Sequence, residues 1–320
     1  MEKWWEFRET KKIKHEEHEG TKRGVVVADD LGRVWRTERK VCGYLGGGRA
    51  LPHPGSSAMM PRMVGKHPHW TRTELLLAFR LYCHTPFGKL HRLNPEIIDL
   101  AKQLKRTPSA VGMKACNFAS LDPAQQARNI AGLGNAGRAD RELWEEFQNN
   151  PEAVAAEAEA AYVGLTDAEA PPLPDELTMP KGPTETLRYM RTRRVQRFFA
   201  AAVMASYEHR CALSDIAIPE LLNAGHIIPW GVSVAQRADP RNGIALNVLY
   251  DRAFDRGLIT LDESLRVVVS PRLKVADPPV FHRQALIELE GRELRRPARF
   301  APDPKALAYH REHVFVSVGC

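Results

Sequence analysis

The sequence predicts an α+β protein, a small all-α region followed by a mixed strand and helix region, and three observations carry that reading. Residues 70–149 hold repeated helix-capping signals, each followed by apolar residues at helical spacing. From Pro151 to Pro180 the composition becomes Ala/Glu-rich, compatible with a helix, and then Pro-rich, with acidic residues and neither lysine nor arginine. Beyond it, short apolar runs at Ile227-Ile228, Leu258–Leu261 and Val267–Val269 are interleaved with helical patterns. Four segments follow: an irregular basic segment over 1–68, a helical region over 69–150, an acidic, Pro-rich linker over 151–181, and a mixed domain over 182–320.

At 320 residues the chain can bury two cores, and a hydrophobic share of 43% argues against global disorder. No apolar run approaches the roughly 20 residues of a membrane span, and the Lys/Glu-rich start lacks the apolar core of a signal peptide. The expected setting is cytoplasmic, with no membrane partner. Five cysteines, widely spaced and never as C-x-x-C, argue against a disulfide framework and a structural zinc knuckle. A net charge of +7 fits a polyanionic partner.

In the first segment, Gly24–Ala28 offers one strand and Asp29–Gly32 a turn. Met59, Met60 and Met63 stand just ahead of the first capped helix, so the preceding residues read either as an over-extended frame or as a basic DNA-touching arm. Thr71 and Glu74 then form a capping box for a helix with Leu75, Leu76, Phe79 and Tyr82 on one face. Asn94-Pro95 opens a second helix and Thr107-Pro108 a third, each with a capping side chain before a proline at the first helical position. The short second turn suggests a helix-turn-helix, in which Lys105 and Arg106 would meet phosphates and Lys114 and Asn117 would face DNA. The other reading of these helices is a bundle that only packs. Asp140 is expected to cap the next helix, and Pro171–Pro174 to form an extended spacer.

A basic amphipathic helix over about 185–207 delivers the chain to Cys211. Then come Gly225-His226-Ile227-Ile228-Pro229-Trp230, Arg241-Asn242-Gly243 and Tyr250-Asp251-Arg252-Ala253-Phe254-Asp255. Asp251 and Asp255 are i and i+4, so on a helix they share a face, and their hard oxygens suit Mg²⁺ or Mn²⁺. The alternative partners for these carboxylates are Arg252 and Arg256. His226, with a ring neutral near physiological pH, is suited to general-base work, and Asn242-Gly243 is also a plain turn dipeptide.

These blocks, with Tyr207–Ser214 before them and Tyr309–Phe315 after, resemble the HNH endonuclease domain of bacterial restriction-type enzymes over about 182–318. Residues 70–149 resemble, less specifically, the helical domain that often accompanies it. The resemblance implies a ββα-metal fold clamping one divalent cation and a metal-dependent DNA endonuclease serving restriction or defence. His226 would be the catalytic base, Asn242 would orient it through side-chain hydrogen bonds, and Asp251 and Asp255 would hold the cation. Arg241, Arg252 and Arg256 are candidate phosphate contacts. Two departures stand out: Gly225 and Tyr250 occupy positions where relatives often carry metal-binding or histidine side chains. Where zinc-stabilised relatives carry paired cysteines, only Cys211 remains, with Ser214 at the second position. Cutting both strands with one site per chain calls for two copies, which makes a homodimer a candidate arrangement.

Overall fold

A computed structural model describes the backbone over residues 27–28, 34–35, 69–129, 136–166 and 183–317. Pro171–Pro174 and most of 1–68 lie outside the described residues. The chain divides into two units, Met1–Lys40 and Val41–Cys320. In the first, β1 (Val27–Ala28) pairs antiparallel with β2 (Val34–Trp35).

The second unit opens with α1 (Arg72–His84), started by the expected capping box, in which Glu74 N–H donates to the Thr71 hydroxyl and Thr71 N–H donates to the Glu74 carboxylate. Next come α2 (Pro95–Gln103) and α3 (Pro108–Leu121), capped by Asn94 and Thr107, and the five-residue α4 (Pro123–Ala127), capped by Asp122. Helix α5 (Arg138–Asn149) departs from expectation at its start. Its N-cap is Gly137, and Asp140 sits one turn inside, reaching back to accept from Gly137 N–H at 2.9 Å.

Residues 151–166, the front of the expected acidic spacer, form α6 (Pro151–Thr166), whose Val154, Ala155 and Ala158 are buried against α1 and α7 (Pro183–Ser206). Two of its acidic residues are partnered: Glu159 with Arg80 at 2.6 Å and Glu157 with Arg72 at 2.7 Å. Helix α7 is the common spine. Its Val195, Phe198 and Ala202 join the helical core, while Phe199, Val203 and the adjacent Tyr207 join the core of the mixed region.

That mixed region holds β3 (Leu222–His226) antiparallel to β4 (Gly243–Asn247), then α8 (Val248–Asp255). The strand lies earlier than Ile227-Ile228 suggested, because register ends at His226 opposite Gly243. Beyond that point the Asn242 side chain, rather than a neighbouring strand, takes the Ile228 backbone. The predicted hairpin is β5 (Ile259–Leu261) with β6 (Val267–Val269). Helices α9 (Val280–Ala285) and α10 (Pro304–His313) close the fold. The fold is thus a helical region followed by a small ββα region, α+β overall.

Candidate active site

Strand β3 carries His226, helix α8 carries Asp251 and Asp255, and Asp251 reaches Gly225, next to His226 on the strand. His226 ends β3 with its ring stacked on Phe199 of α7, centroids 3.8 Å apart, and edge-on to Trp230. That stacking needs Gly243 opposite, since a Cβ there would collide with the Phe199 ring. His226 Nε2 lies 3.2 Å from the Arg237 carbonyl oxygen. A carbonyl can only accept, so Nε2 carries the proton and Nδ1 keeps the lone pair. Burial pushes the imidazole pKa down to about 4, which leaves the ring uncharged near neutral pH.

Asn242 is buried, and its side chain closes the loop after His226. Oδ1 accepts from Ile228 N–H at 2.8 Å, while Nδ2 donates to the carbonyls of Ile228 at 3.1 Å and Gln236 at 3.4 Å. Its own carbonyl accepts from Ile227 N–H at 2.9 Å. Asn242 therefore fixes the backbone just after His226 and just before the Arg237 carbonyl that holds it, rather than bonding the ring itself.

Helix α8 brings the Asp251 carboxylate against Gly225 of β3, the residue before His226. Asn247 caps the helix by accepting from Tyr250 N–H at 2.9 Å, and Asn247 is itself gripped by Ser214 Oγ and Cys211 Sγ. Where paired cysteines would bind zinc in relatives, this knot is hydrogen-bonded. At the other end Gly257 takes a left-handed conformation (φ 64°), as its place after the helix demands. Burial raises the Asp251 carboxyl above its ordinary range, opposed by the Asn223 amide. Asp255 is raised by burial and then by the charge of Asp251. Neither carboxylate has an ion-pair partner among the described residues, so the alternative pairing with Arg252 and Arg256 is not what the side chains adopt there.

Two hard carboxylates that repel one another fit a divalent, oxygen-seeking cation. Among the described residues no group of three or more His, Cys, Asp or Glu side chains gathers around a common point. The remaining ligands to such a cation would have to be water and substrate phosphate, or an amide oxygen.

Residues 211–262 match the HNH endonuclease family. This segment is an HNH domain. No curated protein matches the chain. The HNH domain spans β3, β4, α8 and β5, and the residues read as its base and carboxylates all fall inside it.

The expected DNA contacts are divided by the structure. Arg106 donates to Glu74 at 2.7 Å and lies over the Trp70 ring; Lys114 pairs with buried Asp140 at 2.9 Å. Asn117 is buried and donates to the same Asp140 carboxylate at 3.0 Å. Between Val111 and Ala119 only Met113 of α3 is exposed, so this helix packs instead of presenting a reading face. Arg241 is committed to Asp239 and Gln148. Lys105, Arg252 and Arg256 remain exposed.

Phe199, Asn223, Arg237 and Asn247 are site residues that the motif did not announce. His310 is buried and supports α8 from beneath. Its Nε2 lies 3.1 Å from the Phe254 carbonyl and its Nδ1 2.8 Å from the Thr260 hydroxyl. Burial holds its pKa down to about 4, against an ordinary 6.5. A depressed histidine stabilises the fold fully above 6.5, and that stabilisation is lost as pH falls toward 4, because the unfolded chain takes up the proton first. Urea unfolding of His310→Gln should therefore depend less steeply on pH across that window than wild type, by up to about 1.4 kcal/mol per pH unit. Parallel slopes for the two proteins would show that His310 is not held neutral.

Proposed function

We propose that the chain is a metal-dependent DNA endonuclease serving restriction or defence. The observation that carries this reading is the neutral His226, its Nε2–H tied to a backbone carbonyl, in an HNH domain whose next helix bears a carboxylate couple with no ion-pair partner among the described residues. Nδ1 of His226 takes a proton from water as the water oxygen bonds to the phosphodiester phosphorus and the opposite P–O ester bond breaks. Asp251 and Asp255 hold Mg²⁺ or Mn²⁺, which when bound supplies charge neutralisation at the phosphate and the departing oxygen. Exposed Arg252 and Arg256, beside the carboxylates on α8, and Lys105 at the α2–α3 turn are the phosphate contacts in this reading. The net charge of +7 favours a nucleic-acid partner, and no helix among the described residues is long and apolar enough to cross a membrane.

Supercoiled plasmid with Mg²⁺ or Mn²⁺ tests the proposal. Wild type should nick or linearise it, and Asp255→Ala should do so at least about 100-fold more slowly. Equal cutting by the two proteins would remove Asp255 from the site. Binding without cutting, across several metals and with modified and unmodified plasmid, would leave an inactive DNA-binding protein. A parallel digest in which structured RNA is cut and plasmid is not would move the substrate to RNA.

A further inference from the structure

Asp251 turns toward β3 instead of solvent. Its Oδ2 accepts a hydrogen bond from Asn223 Nδ2 at 2.8 Å. Its Oδ1 lies over Gly225, where a Cβ would come within 2.5 Å of that oxygen and 3.7 Å of the Ile244 carbonyl. Asn223 and Gly225 are i and i+2 on one strand and so share a face. Gly225 is also the position at which the family resemblance leads one to expect a metal-binding side chain, and the volume that side chain would fill is taken by a carboxylate arriving from α8.

We propose that Asn223 and Gly225 form a seat for the Asp251 carboxylate, so that the strand ligand missing at 225 is replaced by a helix ligand lowered into its place. Asn223 is a positioning residue: its amide holds one oxygen of Asp251 and leaves the other to face a cation. Gly225 contributes by having no side chain, because any Cβ would expel Oδ1 from the position it holds. Asn223 is exposed and supports no core, so its substitution separates positioning from folding. The inference rests on the metal-dependent reading above.

Mn²⁺ titration of the full chain without nucleic acid, followed by calorimetry, tests the seat independently of cleavage. Wild type should bind Mn²⁺ and Asp255→Asn should not. Asn223→Ala and Gly225→Ala should each weaken binding by about tenfold or more, Asn223→Ala with an unchanged thermal midpoint. Asp251→Ala should lose affinity, and adding Gly225→Asp to it should recover part of the loss, since the vacated space then receives a carboxylate from the strand. If Asn223→Ala and Gly225→Ala bind like wild type while Asp255→Asn does not, the seat is wrong and the metal reading stands. If wild type and Asp255→Asn bind Mn²⁺ equally weakly, the metal reading itself fails and the seat falls with it.

Discussion

Replacing His226 with alanine is expected to slow cleavage by about 10²–10⁴-fold, the usual contribution of a positioned general base, while DNA affinity stays within a few-fold of wild type. The ring makes no charge contribution to binding near neutrality, because burial keeps it unprotonated down to about pH 4. In the proposed mechanism its role is the lone pair on Nδ1, left available by the bond from Nε2–H to the Arg237 carbonyl. The substitution also removes the partner stacked on Phe199, so a melting curve must accompany the rate. His226→Gln preserves more of the volume and should be equally slow. Single-turnover plasmid cleavage reads the rate and a filter-binding isotherm the affinity. A fall of less than tenfold, with folding intact, would mean that another group takes the proton. The pH profile is a second readout. The free enzyme should keep its base competent well below 6.5, with the acid limb shaped by His226 and by the raised carboxyls of Asp251 and Asp255 together.

Local signals in the chain were legible where the interacting groups are close in sequence. Thr71 and Glu74 cap α1 as their spacing requires, and Asp251 and Asp255 share one helix. The roles of Arg106, Lys114 and Asn117 were not legible, for the converse reason. Their partners, Glu74 and Asp140, lie 32, 26 and 23 residues away, and a basic side chain beside a helix start looks the same whether it faces phosphate or a buried carboxylate. Asn223 is not legible because the apolar pair Ile227-Ile228 points to a strand later than the one that forms. With β3 moved back to Leu222–His226, residues 223 and 225 fall on one face and the seat for Asp251 becomes visible. In the Ala/Glu-rich half of the linker stretch, alanines at 155 and 158 allow α6 to pack closely on its neighbours.

Arg299→Ala is expected to destabilise the protein by about 3–5 kcal/mol, the usual cost of breaking a buried, hydrogen-bonded charge. Arg299 comes from the chain after the HNH domain, yet its side chain is wholly buried at the C-terminal end of α1. Its guanidinium donates to the carbonyls of Tyr82, Cys83 at 3.3 Å and Thr85 at 2.8 Å, and lies 4.7 Å from the Tyr82 ring centroid. These carbonyls belong to the last turn and cap of α1, where the helix has no further N–H groups to offer and its dipole is negative. Asp122, bonded to the Tyr82 hydroxyl at 2.7 Å, adds a carboxylate whose interaction with Arg299 opposes its own burial. Removing the guanidinium leaves the carbonyls unpaired and opens a cavity beside Phe300, which packs among Tyr82, Trp144 and Phe147. Arg299→Met fills more of the volume but satisfies none of the carbonyls, so it should recover only the packing share. Arg299→Lys offers a charge without the planar fork and should fall between them. Urea unfolding followed by tryptophan fluorescence gives the loss, and a change below 1 kcal/mol for Arg299→Ala would show that water replaces the guanidinium without penalty. Gln125 and Arg128 donate to the neighbouring Ala298 carbonyl, and Gln148 accepts from Arg241 on the loop beside His226. Loss of Arg299 should therefore lower the urea concentration at which cleavage disappears by the same amount as the fluorescence midpoint. Two separate transitions would instead mean that the helical region and the HNH domain fold independently and meet only as neighbours.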